Sequence, residues 1–288
     1  MQKYFNTYTQ MISLRGLTKH TLKSYSTYIR AYLNYLKNNL NKLPEDVSWQ
    51  ELRDFIFFLK DTRNLSDRTI NTAISQLRFF TIFVLHKPWE YHQLPFRKFD
   101  SFLPFVPSKE EVYKFISTIP DLKQKAMLAL MYSAGLRISE VCNLKYEDIS
   151  RKDMRIYIRH GKNRSDRYAT LSSNALNILT NYWYTYGKPM NYLFPQQGNA
   201  DKPIDTFYLS RHIHAHEDRL GWPRRLTCHS FRHAFGTHSY ENGTDLLILK
   251  ALLGHRSLNS TTIYVQLASN GTEKAISPFD MMGDISNA

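Results

Sequence analysis

Acidic residues are missing from the first 44 positions, the earliest being Glu45. Cysteine is nearly absent too: Cys142 and Cys228 lie far apart and match no CxxC pattern, so neither a disulfide framework nor a zinc ribbon is indicated. Long hydrophobic runs are also lacking. The longest uninterrupted apolar stretch is Ala126 to Tyr132, far short of a bilayer span, and the polar opening MQKYFNTYTQ has no signal-peptide core. The expectation is a cytoplasmic protein with no membrane partner. No acidic cluster sits at metal-ligand spacing, so any catalysis here must draw its cations from side chains.

What is present is basic and globular. Lys and Arg number 38 against 25 Asp and Glu, a formal charge of +13, which points to nucleic acid or another polyanionic surface. With 288 residues, 42% of them hydrophobic, the chain is long enough for two domains with real cores.

The first hundred residues read as helices only. After Thr18, apolar residues at Leu22, Tyr25, Ile29, Tyr32, Leu33, Leu36 and Leu40 have helical spacing, while Lys23, Arg30 and Lys37 recur on another face. The capping box Ser48 to Glu51 opens a second helix burying Leu52, Phe55, Ile56 and Leu59. A third, capped by Ser66, turns Ile70, Ala73, Ile74, Leu77 and Val84 inward and carries Arg68, Asn71, Ser75 and Arg78 on the opposite stripe. Such side chains suit groove edges and phosphates, although a solvated helix face gives the same pattern; two stripes in an acid-poor domain favour DNA. Lys19, Lys23, Arg30, Arg68, Asn71, Ser75 and Arg78 are the candidate DNA contacts. The expected organisation is a helical domain over 1–94, a proline-broken linker over 95–107, and a second domain over 108–288 opened by the capping box Ser108 to Glu111. In that second domain the clear strand signals are Arg155 to Arg159 and Tyr168 to Leu171, a hairpin around the polar loop HGKNRSDR.

Four stretches hold charged groups that local packing does not require. Arg137 follows a Gly-terminated helix in AGLRISE, Lys162 sits in the hairpin loop, His229 and Arg232 are three apart in HSFRH, and His255 follows Gly254, with Tyr264 a turn or two beyond. Cations of this kind suit a transferring phosphoryl group, whose developing charge preorganised donors stabilise. A tyrosine hydroxyl can then be the nucleophile, its pKa near 10 offset by the cations. The plain alternative is a tyrosine filling a helix face.

Taken together and in this order, Gly135-Leu136-Arg137-Ile138-Ser139-Glu140, Gly161-Lys162-Asn163, His229-Ser230-Phe231-Arg232, Leu253-Gly254-His255 and Tyr264 nine residues later resemble the motifs of the tyrosine recombinase (phage integrase) family. The stretch GLTKHTLKSYSTYIRAYLNYL is similar to its core-binding domain. The resemblance implies a mainly α fold with a small antiparallel β element: a helical, SAM-like core-binding domain, then a mixed α/β catalytic domain. It implies a compact two-domain chain without an amino-terminal arm-binding domain. It implies that Tyr264 attacks a DNA phosphodiester to form a 3′-phosphotyrosyl bond, with strand exchange passing through a Holliday junction and needing no cofactor, metal or ATP. By the same resemblance Arg137 and Arg232 hold the scissile phosphate, Lys162 protonates the leaving 5′-oxygen, His229 assists proton transfer and His255 donates to a non-bridging oxygen, with Glu140 orienting Arg137. The implied partner is double-stranded DNA with an inverted-repeat core site, bound by a homotetramer or with a related paralogue, in the nucleoid. Residues 272–288 are the candidate segment exchanged between subunits. Two departures stand out: Gly-Lys-Asn replaces Gly-Lys-Gly, leaving Arg164 and Arg167 as rivals or helpers of Lys162, and Val265-Gln266 replaces Thr-His.

Three other readings compete. Ile158-Arg159-His160-Gly161 is similar to the Arg-His-Gly of histidine phosphatases, but follows about 150 largely helical residues. Histidines 212, 214, 216, 229, 233 and 238 suggest a metal site, without carboxylates or cysteines at matching spacing. A helix-turn-helix over 245–264 would make the protein a DNA binder alone, leaving Arg137, Lys162 and Arg232 unexplained.

Overall fold

In the computed structural model, which describes residues 1–16, 19–100, 102–159 and 166–268 with backbone alone at 19 and 20, a buried glutamine breaks one of the amino-terminal helices. Helix α1 (Gln2–Ser13) is followed by α2 (Lys19–Tyr25) and α3 (Thr27–Tyr35), which runs on as a π turn over Leu36–Leu40. Apolar spacing predicts a single helix across α2 and α3. Instead the buried Gln76 amide enters the ladder between them, donating to the Ser24 carbonyl and accepting from the Tyr28 N–H, both at 3.0 Å. These are the two groups that an unbroken helix would pair with each other, so the side chain converts one helix into two without stranding a backbone group. Periodicity could not reveal this, because Gln76 lies some fifty residues away on another helix.

Helix α4 (Trp49–Phe57) starts at the expected capping box, where the Ser48 N–H donates to Glu51 Oε2 at 2.9 Å, and α5 (Asp67–Phe83) starts at Ser66, whose hydroxyl accepts from Thr69 N. The core between these helices is aromatic: Tyr8, Tyr32, Phe55 and Phe80 are buried among Ile12, Ile29, Leu59, Ile70 and Leu77. Residues 95–100 form no helix or strand, yet are fastened along α5. The Asn71 amide brackets Arg97, accepting from its N–H at 2.8 Å and donating to its carbonyl at 2.9 Å, and the Arg97 guanidinium pairs with Asp67.

The chain divides into two compact units, Met1–Phe102 and Leu103–Ala288. In the second, α6 (Lys109–Ser117) opens with the Ser108/Glu111 capping box, and α7 (Leu122–Ala134) is buried nearly all round, as its unbroken apolar run requires. After the short α8 (Ile138–Cys142), strands β1 (Ile149–Ser150), β2 (Arg155–Ile158) and β3 (Arg167–Thr170) form an antiparallel sheet in that order, with Ile158 opposite Arg167 and Ile156 opposite Ala169. Ile156, Ile158 and Ala169 face the core. Next come α9 (Ser173–Thr185), a second hairpin of β4 (Pro195–Gln196) and β5 (Asn199–Pro203), α10 (Thr206–Leu220), α11 (Cys228–Glu241), α12 (Leu246–Leu253) and α13 (Ile263–Leu267). The second hairpin escapes sequence reading because its strands are polar and largely exposed, so no apolar alternation marks them. Helices α9 and α11 pack on α7, and α11 also carries α13. Among the described residues no helix is long and apolar enough to cross a membrane.

Candidate active site

The site is built around the end of α7. Gly135 closes that helix in the left-handed conformation (φ +61°), and a Cβ there would come within 2.4 Å of Phe235 and 2.8 Å of Leu253, so the position needs glycine for both reasons. The next turn places Arg137 as the N-cap of α8. Its N–H donates to Glu140 Oε2 and its Nη1 to Glu140 Oε1, each at 2.8 Å. Arg167, at the start of β3, donates Nη1 to Glu140 Oε1 at 2.9 Å and Nη2 to Oε2 at 2.8 Å; Arg232 Nη1 lies 3.9 Å from Oε2. Three guanidinium groups thus share one buried carboxylate. Burial works against its ionisation, but the hydrogen bonds and charge of Arg167, with those of Arg137, outweigh that and hold the Glu140 pKa down at about 2.

Thr227 caps α11 with a box to Ser230, and the helix points Arg232 inward, where it is 4% exposed. Its Nη1 donates to the Gly135 carbonyl, and its Nη2 to the Leu253 carbonyl at 2.7 Å and to His255 Nε2 at 3.1 Å. Burial, then Arg137, pull the Arg232 pKa to about 10, so it remains a cation at neutral pH. His255 sits beyond Gly254, the left-handed cap of α12. Burial first, then Arg232, Arg137 and Arg167, push its pKa to about 4, making it a neutral imidazole. Since Nε2 faces a guanidinium donor, the ring proton belongs on Nδ1, which donates to Thr261 Oγ1 at 3.0 Å.

Tyr264 on α13 is 1% exposed. Its ring lies flat against α11 at Gly236, where a Cβ would fall 2.4 to 2.7 Å from three ring carbons. It is nearly parallel to the His255 ring, at 9° with centroids 6.3 Å apart, and 6.1 Å from the His233 ring. Burial raises the phenol pKa, while Arg232 and Arg137 oppose that rise. A tyrosine, two arginines and a neutral imidazole therefore meet from three separated stretches of sequence.

Residues 108–270 match the model of the phage integrase family, and residues 4–91 match that of the phage integrase N-terminal SAM-like domain. Tyrosine recombinase XerA of Thermococcus onnurineus is 32% identical, covering 93% of this chain and 92% of its own; XerA of Pyrococcus horikoshii is 31% identical, covering 92% and 89%. The chain belongs to the phage integrase family of tyrosine recombinases. The crystal structure of the XerH site-specific recombinase bound to palindromic difH substrate, a post-cleavage complex, shares the fold at a TM-score of 0.74 and 21% identity, over 92% of this chain and 82% of that one.

The recombinase brings Arg137, Glu140, Arg232, His255 and Tyr264 into one cluster. His229 lies exposed one helical turn before His233, with ring centroids 6.3 Å apart. Lys162, Arg164, His160, Gly161 and the tail 272–288 lie outside the described residues. Arg167 is no loop residue in waiting for the role of Lys162: its guanidinium is committed to Glu140 and to the Leu252 carbonyl at 2.8 Å. Sequence reading missed Thr261 and Gly236, and only the HxxRHAFG context could have drawn attention to the latter. Four of the six histidines weighed as metal ligands have other partners. His212 bonds the Tyr208 carbonyl, His214 pairs with Glu217, His216 meets Thr118 and His238 meets Tyr132. The helix-turn-helix reading gives way as well, because α13 has five residues and buries Tyr264 instead of presenting a recognition face.

In the first unit Lys23, Arg30, Arg68 and Ser75 are exposed. Arg30 lies over Phe5 at 4.8 Å, Arg68 over Phe99 at 4.7 Å, and Arg78 over Tyr91 and Phe96 at 5.6 and 5.9 Å. Asn71, expected on the same stripe, has its amide taken up by the Arg97 backbone. Lys19 has its side chain outside the described residues.

Proposed function

We propose that this recombinase cleaves and rejoins double-stranded DNA through Tyr264. The phenolic oxygen forms a bond to the scissile phosphorus as the bond to the 5′-oxygen breaks, leaving a 3′-phosphotyrosine and a 5′-hydroxyl. The phenol gives up its proton with the help of His229, and Lys162 supplies one to the leaving oxygen. The freed hydroxyl then attacks the phosphotyrosine of a partner strand, and two such rounds pass through a Holliday junction. Each step exchanges one phosphate ester for another, so no ATP enters, and Arg137 and Arg232 meet the developing charge in place of a metal. Loss of one such donor costs roughly 3–4 kcal/mol of barrier. His255 donates to a non-bridging oxygen from Nε2 once its proton is there, and the Thr261 hydroxyl, able to donate or accept, then turns to serve Nδ1.

One observation carries this reading: Tyr264 is buried against Gly236 beside Arg232, Arg137 and a neutral His255, an arrangement that core packing alone does not require. The palindromic DNA of the XerH complex and the core site bound by a lambda integrase dimer support an inverted-repeat DNA partner. In this scheme residues 1–94 clamp the duplex through Lys19, Lys23, Arg30, Arg68, Ser75 and Arg78, with Asn71 holding the 95–100 segment against them, 95–107 link them to the catalytic domain, and 272–288 pass to a neighbour in a nucleoid-bound homotetramer or mixed tetramer.

The test is covalent trapping on nicked suicide DNA from a randomised half-site library without added metal, comparing wild type with Tyr264→Phe. A 3′-linked adduct that disappears in the variant is expected, and sequencing the trapped DNA gives the site. An adduct that survives the substitution means a different nucleophile, and binding without any adduct removes the catalytic reading.

A further inference from the structure

The Arg167 side chain is only 10% exposed, and all three of its guanidinium nitrogens are engaged. Its terminal nitrogens grip both oxygens of Glu140, while Nε holds the Leu252 carbonyl, two residues before the Gly254 turn that delivers His255. Its stem packs on that turn, where a Cβ on Gly254 would meet Arg167 Cδ at 3.0 Å. This geometry turns Arg167 away from any phosphate and toward the groups that would hold one. The same two carboxylate oxygens receive Arg137.

We propose that Arg167 is a positioning residue of the phosphate grip. Its planar fork fixes the plane of the Glu140 carboxylate and thereby the direction of Arg137, while its Nε bond fixes the turn before His255. It also has an electrostatic task. A buried carboxylate facing Arg137 alone would close an ion pair and compete with DNA for that cation; a second guanidinium on the same oxygens leaves the charge of Arg137 available to the phosphate. The inference rests on the mechanism proposed above.

Single-turnover cleavage of the trapped half-site by the full-length protein tests it, with either a natural phosphodiester or a neutral methylphosphonate at the scissile position. Arg167→Gln and Arg167→Lys are compared with wild type, alongside DNA affinity and thermal unfolding. On the phosphodiester, Arg167→Gln is expected to cleave about 100-fold more slowly, the usual penalty for misplacing a catalytic group by about 1 Å, with DNA affinity unchanged. Arg167→Lys, which keeps the charge but loses the fork, falls between, and carries the comparison alone if the glutamine variant does not fold. On the methylphosphonate, which lacks the charge that Arg137 would meet, the deficit should shrink about tenfold. An equal deficit on both substrates would reduce Arg167 to a packing role, a loss of affinity matching the loss of cleavage would make it a DNA contact, and no deficit would end the proposal. Wild-type protein that cleaves neither substrate overturns the recombinase mechanism itself, a separate outcome.

Discussion

The two units hold their cations in opposite ways. In the second, Arg232 is 4% exposed and tied to two carbonyls and an imidazole, and Arg137 shares Glu140 with Arg167. In the first, Arg30 and Arg68 stand at the surface over Phe5 and Phe99, with cation to ring distances of 4.8 and 4.7 Å. A locked guanidinium has lost its freedom before DNA arrives, which suits charge stabilisation at one atom. A cation resting on a ring keeps its water and can follow a backbone of any sequence, which suits a clamp.

The sharpest way to break that contrast is Glu140→Gln, which leaves one buried and two partly buried guanidinium groups without their carboxylate and should destabilise the protein by about 3–5 kcal/mol in a urea titration. Its pH dependence has a defined sign. The folded pKa of about 2 lies below the ordinary 4.5, so this stabilisation is present above about pH 4.5 and is lost as pH falls through 2. His255 adds to the same trend earlier, because a folded pKa near 4 against 6.5 lets the unfolded chain take up the proton first, between those values. Wild type should therefore lose stability below about pH 6.5 and faster below 4.5, and the variant should lack the second limb.

Gly236→Ala ranks next. The added methyl occupies the place of the Tyr264 ring, so cleavage should fall roughly 100-fold or more while DNA affinity stays close to wild type. Unchanged cleavage would mean that Tyr264 reacts from some other position. The smallest effects belong to the first unit. Lys23→Ala, Arg30→Ala and Arg68→Ala should each alter stability by no more than about 0.5 kcal/mol, and each lost phosphate contact should lower the slope of log affinity against log salt by about 0.9. A flat salt profile would remove these residues from the clamp.

Much of this was readable beforehand. The capping residues Ser48, Ser66 and Ser108 start helices as expected, because a cap depends on its own few neighbours. Gly135 and Gly254 end theirs for a similarly local reason. The break at Ser26, the bracketing of Arg97 by Asn71 and the second hairpin were not readable, since each depends on partners distant in sequence or on strands without an apolar rhythm.

The sequence by itself determined which residue types are present and in what order: an acid-free basic stretch, then arginine, histidine, arginine, histidine and tyrosine at recognisable spacings. Tertiary structure alone decided which of them meet. It made Arg167 a third guanidinium on Glu140, set Thr261 against His255 and laid Tyr264 on Gly236. Hydrogen bonds and close packing act over a few ångströms, and residues 97 positions apart, such as Gly135 and Arg232, come within that range only when the chain has folded.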